Sequence, residues 1–131
     1  FVLTLDQGVQ FVYDCLNQMI GGEIFIPKIP SANILTMAAA VNPNFKTKIV
    51  GIRPGEKLHE VLLPKDDSRS AVEFPNYFVI LPSIRWWTPE KTLTGTPCKD
   101  GFEYSSDSNT EWVNAEQIKS LMQNYKASHS S

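Results

Sequence analysis

Residues 50–60 read VGIRPGEKLHE, and their reading decides the fold. The apolar run Ile49-Val50-Gly51-Ile52 stops abruptly at Arg53. Pro54-Gly55 follows, in the order that the two central positions of a type II turn require. Such a turn brings Arg53 and Glu56 together at its outer corners. Beyond it, Leu58, Val61 and Leu62 fall at helical spacing. The stretch therefore predicts a strand, a tight turn and a helix, with a guanidinium and a carboxylate at the joint. A guanidinium there can grip a phosphate through two parallel hydrogen bonds. A carboxylate beside it can accept from sugar hydroxyls. The same two side chains can also simply pair on the surface, for at most about 1 kcal/mol. Local chemistry does not separate these readings.

Working toward the N-terminus, residues 46–52 predict a strand and residues 31–41 a helix, with Ile34, Ala38 and Val41 on one face. Asn42-Pro43 ends that helix. Residues 23–28, EIFIPK, predict a strand that Pro27 confines to an end or an edge. Thr4-Leu5-Asp6-Gln7 has the form of a capping box. Val9, Val12, Leu16, Met19 and Ile20 then mark one face of an amphipathic helix, which Gly21-Gly22 ends.

Toward the C-terminus, residues 58–63 predict a short helix stopped by Pro64, and residues 64–76 a polar loop. Residues 77–81, YFVIL, predict a buried strand. Residues 83–109 have no sustained period and hold Trp86-Trp87, so they predict a long loop, functional or laid on a partner surface. Asn114 with Gln117 resembles a second cap, and Ile118, Leu121, Met122 and Tyr125 form the last helix. The order αβαβαβ–loop–α predicts an α/β fold: a small region with few strands flanked by helices. We place one domain at residues 1–126 and a disordered tail at 127–131. Three short strands make a thin sheet, and the chain begins at Phe1 in the middle of a motif. Both features predict a partial chain from a longer protein.

Composition narrows the function classes. The 131 residues are 42% hydrophobic and 20% charged, with a formal net charge of −2. These values suit a globular domain, and no basic stripe marks the chain for nucleic acid. No apolar run is long enough for a membrane span, so a cytoplasmic location is expected. Cys15 and Cys98 are too few for a disulfide scaffold, and no Cys/His spacing predicts a metal. Neither the dinucleotide nor the P-loop glycine cradle occurs. None of the four tyrosines is followed four residues later by lysine, and His59 has no nucleophile motif beside it. Glu56 and Glu60 share a helix face in this reading, as solvated carboxylates commonly do. We expect no catalytic, cofactor-binding or metal-binding residue here. The candidate site is Arg53 and Glu56.

Four blocks carry a resemblance: FVLTLDQGVQFV at 1–12, GGEIFIPKIPS at 21–31, KIVGIRPGEKLHEVLL at 48–63 and GFEYSSDSNTEWV at 101–113. In this order and spacing they resemble the C-terminal third of inverting UDP-N-acetylglucosamine 4,6-dehydratases. These are extended short-chain dehydrogenase/reductases of polysaccharide biosynthesis. The resemblance implies a parent with an N-terminal Rossmann domain that carries NADP and the catalytic group. It implies a smaller C-terminal domain that closes over the UDP-sugar, and this chain matches only that part. The family reaction is oxidation at C4, loss of water across C5–C6, inversion at C5 and hydride return to C6. Arg53 and Glu56 match positions expected to hold the uridine diphosphate moiety. The implied partners are a UDP-sugar, the parent's Rossmann domain and further copies in a homo-oligomer. The alternatives are a free-standing sugar-nucleotide-binding module, the equivalent part of a retaining 4,6-dehydratase or a nucleotide-sugar epimerase, and a degraded reading frame.

Overall fold

The structure is a computed structural model, and it describes residues 1–83 and 93–129. Trp86-Trp87 lies outside the described residues. The elements in chain order are α1 (Leu5–Gln18), β1 (Ile24–Pro27), α2 (Ile34–Val41), β2 (Val61–Leu63), a 3-10 helix (Lys65–Ser70), β3 (Ala71–Glu73), β4 (Tyr77–Ile80), β5 (Thr96–Pro97), β6 (Tyr104–Ser105) and α3 (Ala115–His129). The fold is α/β with a few short strands and flanking helices, and every ladder in its two sheets is antiparallel. Two compact units share the chain. One holds α1, β1 and residues Val61–Ser105; the other holds Phe1–Thr4, Ile29–Glu60 and the chain from Ser106 onward.

In the first unit the sheet order is β1-β4-β3-β5. β4 is central because Phe78 and Val79 are apolar on both faces, and Val79 is completely buried. Its registers place Val79 opposite Phe25 of β1 and Val72 of β3. Pro27 has no N–H to give a ladder, and it sits at the end of an edge strand. Around Phe78 gather Phe102 at 5.4 Å, Tyr104 at 5.2 Å and the Lys28 ammonium at 4.8 Å from the ring centroid. Lys28 also meets Glu73 at 2.6 Å.

α1 meets this sheet through Phe11, whose ring stands edge-on to Tyr77 at 6.3 Å, while the Tyr77 hydroxyl donates to Gln18 Oε1 at 2.7 Å. The helix ends where Gly21 and Gly22 take positive φ values of 135° and 86°. There the Glu23 carboxylate accepts from the Ile20 and Gly21 amides. The apolar stripe Val9, Val12, Leu16 and Met19 stays exposed.

The second unit pairs α2 with α3. Asn33 caps α2 by accepting from the Leu35 amide at 2.8 Å. The helix therefore begins at Ile34, three residues later than the pattern predicts. Ser31 instead bridges to Trp112, its amide donating to Glu111 O. Asn109 ties this joint, donating to Ile29 O at 2.8 Å and to Ser31 Oγ at 3.1 Å. The Asn114/Gln117 cap is reciprocal: each side chain accepts from the other's amide. α3 runs on to His129, into the stretch assigned to the tail.

Two elements differ from the periodicity reading. Residues 46–52 are not a strand. They are exposed, Ile49 at 97%, and among the described residues no strand pairs with them. β-branched residues favour extended backbone, but only a neighbour completes a ladder. Residues 58–63 are not a helix. Val61–Leu63 pairs with Tyr104–Ser105 and completely buries Leu63. Four apolar residues in six fit either period, and the ladder to a distant segment decides. The polar stretch 64–76 holds the 3-10 helix and β3, and the long loop holds β5 and β6.

Candidate functional site

The Arg53–Glu56 corner forms as the turn chemistry dictates. The Glu56 amide donates to Arg53 O at 3.0 Å, and Gly55 adopts φ +85°. This is the i+2 position of a type II turn, where an L side chain would be strained. A second bond closes the corner: Glu56 Oε2 accepts from the Arg53 backbone amide at 2.8 Å. Glu56 Oε1 lies 3.9 Å from Arg53 Nε, an ion pair too long for a hydrogen bond. The Arg53 side chain is 78% exposed and that of Glu56 50%. The structure thus brings both sequence-predicted site residues together. They touch through Arg53's backbone, and the guanidinium fork is left facing water.

Further along, the Glu60 amide donates to Ser106 Oγ at 3.0 Å and the Ser106 amide donates to Glu60 O at 2.8 Å. That pair anchors the C-terminal end of the segment to the same unit. His59 is exposed. The overall charge of −2 conceals a local signal: residues 46–57 hold Lys46, Lys48, Arg53 and Lys57 against the single carboxylate of Glu56, and all are exposed. Counting charge along windows would have found it. The same unit has an apolar groove of about 290 Å³ lined by Val2, Thr4, Met37, Val41, Ile118 and Tyr125, among others. Its lining comes from three separated stretches of chain, which no single motif announces.

Three groups, Cys15, Cys98 and Tyr77, are held toward their protonated forms. Burial, and then the Asp14 charge, push the Cys15 thiol up from its ordinary range. Burial and then Glu73 push the Cys98 thiol up against an opposing effect of Lys28. A raised thiol holds its proton and is a poor nucleophile at neutral pH. Burial, and then Cys15, push the Tyr77 phenol up, so it stays a donor. Among the described residues, no three His, Cys, Asp or Glu side chains are placed to hold a metal. Nor is any helix among them long and apolar enough to cross a membrane. Among the described residues every ladder of the two sheets is antiparallel.

The sequence model described as "Polysaccharide biosynthesis protein" matches residues 1–82. The chain belongs to this family. It is 44% identical over 129 residues to the UDP-N-acetylglucosamine 4,6-dehydratase (inverting) of Campylobacter jejuni subsp. jejuni, covering 93% of this chain and 39% of that protein. It is 28% identical over 130 residues to a UDP-glucose 4-epimerase of Rickettsia bellii, covering 95% of this chain and 38% of that protein. The X-ray structure of Pen from Bacillus thuringiensis superposes with a TM-score of 0.73 at 27% identity, over 95% of this chain and 36% of that one. The chain spans about two fifths of the length of the curated relatives it matches. The match to the family runs through the whole Arg53–Glu56 corner.

Proposed function

We propose that this chain is the UDP-sugar-binding portion of a nucleotide-sugar 4,6-dehydratase (5-epimerising) of bacterial glycan biosynthesis. The observation that carries the reading is the Arg53 corner. Its backbone is fixed by two hydrogen bonds to Glu56, while its exposed guanidinium makes only a long ion pair with Glu56, at 3.9 Å. A planar fork held in this way suits the adjacent oxygens of a diphosphate. Lys46, Lys48 and Lys57 raise the local positive potential that attracts it. Similarity to the Campylobacter UDP-N-acetylglucosamine 4,6-dehydratase supports a UDP-sugar as the ligand.

In this reading the chain binds and orients, and is not catalytic alone. Arg53 and Glu56 form the substrate-facing pair. The complete enzyme is cytoplasmic and homo-oligomeric. NADP, which accepts and returns the hydride, is held by a Rossmann domain outside this chain. Arg53→Lys in the complete enzyme tests the proposal, because it keeps the charge and loses the planar fork. KM for UDP-N-acetylglucosamine should rise about tenfold, the equivalent of one lost charge-assisted hydrogen bond. Unchanged kinetics would refute the assignment.

A further inference from the structure

We propose that Lys46 and Lys48 steer the nucleotide sugar toward the Arg53 corner without touching it, and so set the rate of encounter and not the hold on the bound ligand. The proposal rests on the reading of Arg53 as the diphosphate contact. Residues 29–55, which belong to one unit with the corner, hold no carboxylate at all. Lys46 and Lys48 are exposed, and among the described residues no acidic side chain pairs with either. Their field therefore projects into solvent. Lys57 differs, because it lies between Glu56 and Glu60 in sequence and they offset part of its charge. The chain as a whole carries −2, so this segment is a positive region on a surface that otherwise repels an anion.

The two kinds of cation are held differently. Two hydrogen bonds fix the Arg53 backbone. Residues 46–52 join no ladder among the described residues, so their lysines have no fixed place from which to grip a ligand. A planar fork suits contact, whereas an ammonium on a flexible stem is a point charge that acts at a distance. Lys48 lies five residues before Arg53 and Lys46 seven. Extended chains of those lengths span at most about 18 Å and 25 Å. Screening acts over about 30 Å at 0.01 M salt and about 8 Å at 0.15 M, so dilute salt opens the whole segment to an approaching anion. Attraction of this kind changes association and its salt dependence, while a desolvated contact changes dissociation.

Stopped-flow binding of UDP-N-acetylglucosamine to the complete enzyme tests the proposal. Reversing both charges, Lys46→Glu with Lys48→Glu, should slow association about tenfold at about 0.01 M salt and by less than about twofold at about 0.3 M. Dissociation should be unchanged at both. Neutralising both, Lys46→Gln with Lys48→Gln, should slow association about threefold at the low salt, because the effect follows charge. Binding of uridine, which carries no charge, should be unaltered by either pair.

A loss of equal size at both salts, or one that appears in dissociation, would mean that the lysines touch the ligand, and the proposal would be wrong. Unaltered association at low salt would make them solvated surface and overturn it as well. Arg53→Lys separates this failure from failure of the diphosphate reading, since it should speed dissociation at both salts. If it does not, that reading fails, while the lysine pairs still decide whether the segment steers an anion.

Discussion

Gly55→Ala tests the corner through its backbone alone. Gly55 has φ +85°, and a Cβ built on it would meet nothing within 4 Å. The penalty is therefore conformational and not steric. A left-handed conformation costs an L residue about 1–2 kcal/mol. The exposed turn can escape that penalty by leaving the type II geometry. Its population then falls by about 5- to 30-fold relative to competing geometries, and apparent affinity falls with the competent fraction. UDP binding by calorimetry should weaken toward that range. Global stability should move little, because alanine also restricts the unfolded chain, by about 0.4–1 kcal/mol in the opposite direction.

Gly101 supplies the matched control. It has φ +74°, also has nothing within 4 Å of a built Cβ, and lies in the other unit. Gly101→Ala should carry the same strain and leave UDP affinity unchanged. Equal effects of the two substitutions, or no effect of Gly55→Ala, would refute the claim that the turn presents Arg53.

Phe78→Ala removes the ring packed by Phe102, Tyr104 and Lys28, and should destabilise its unit by about 3–5 kcal/mol in urea unfolding; a loss below about 1 kcal/mol would contradict the packing. Both thiols are raised, so the thiolate fraction at any pH is smaller than for a free cysteine. Alkylation by iodoacetamide should be slow at neutral pH and climb only at alkaline pH, and a midpoint at or below about 8.5 would be the opposite result. The exposed stripe Val9, Val12, Leu16 and Met19 and the bare Ile49 and Val50 should make the chain bind a hydrophobic dye and scatter light as dimers or larger species. A clean monomer without dye binding would mark it as autonomous and favour the free-standing module.

Features built from neighbours in sequence were legible. The Asn114/Gln117 cap, the end of α1 at its glycines and the Arg53–Glu56 corner each need only residues a few positions apart. Torsional preference and short-range hydrogen bonding are properties of the local chain, so a sequence window contains them. That Arg53 and Glu56 would meet was readable from Pro54-Gly55. That Glu56 would hydrogen-bond the Arg53 amide and leave the guanidinium only a long ion pair was not, because a side-chain rotamer chose between two acceptable pairings.

The rest was decided in three dimensions. Residues 46–52, with their apolar end Ile49–Ile52, and Val61–Leu63 are both strand-compatible, yet among the described residues only the second has a ladder. A strand is stabilised by hydrogen bonds to a different segment, here across some forty residues to Tyr104–Ser105, and no local window records that partner. The groove behind Val2, Met37 and Ile118 likewise exists only because three distant stretches converge. Sequence by itself determined the turns, the caps and the residue types at the corner. Tertiary structure determined which extended segment found a neighbour, because backbone pairing and burial are contacts between parts of the chain that the sequence holds far apart.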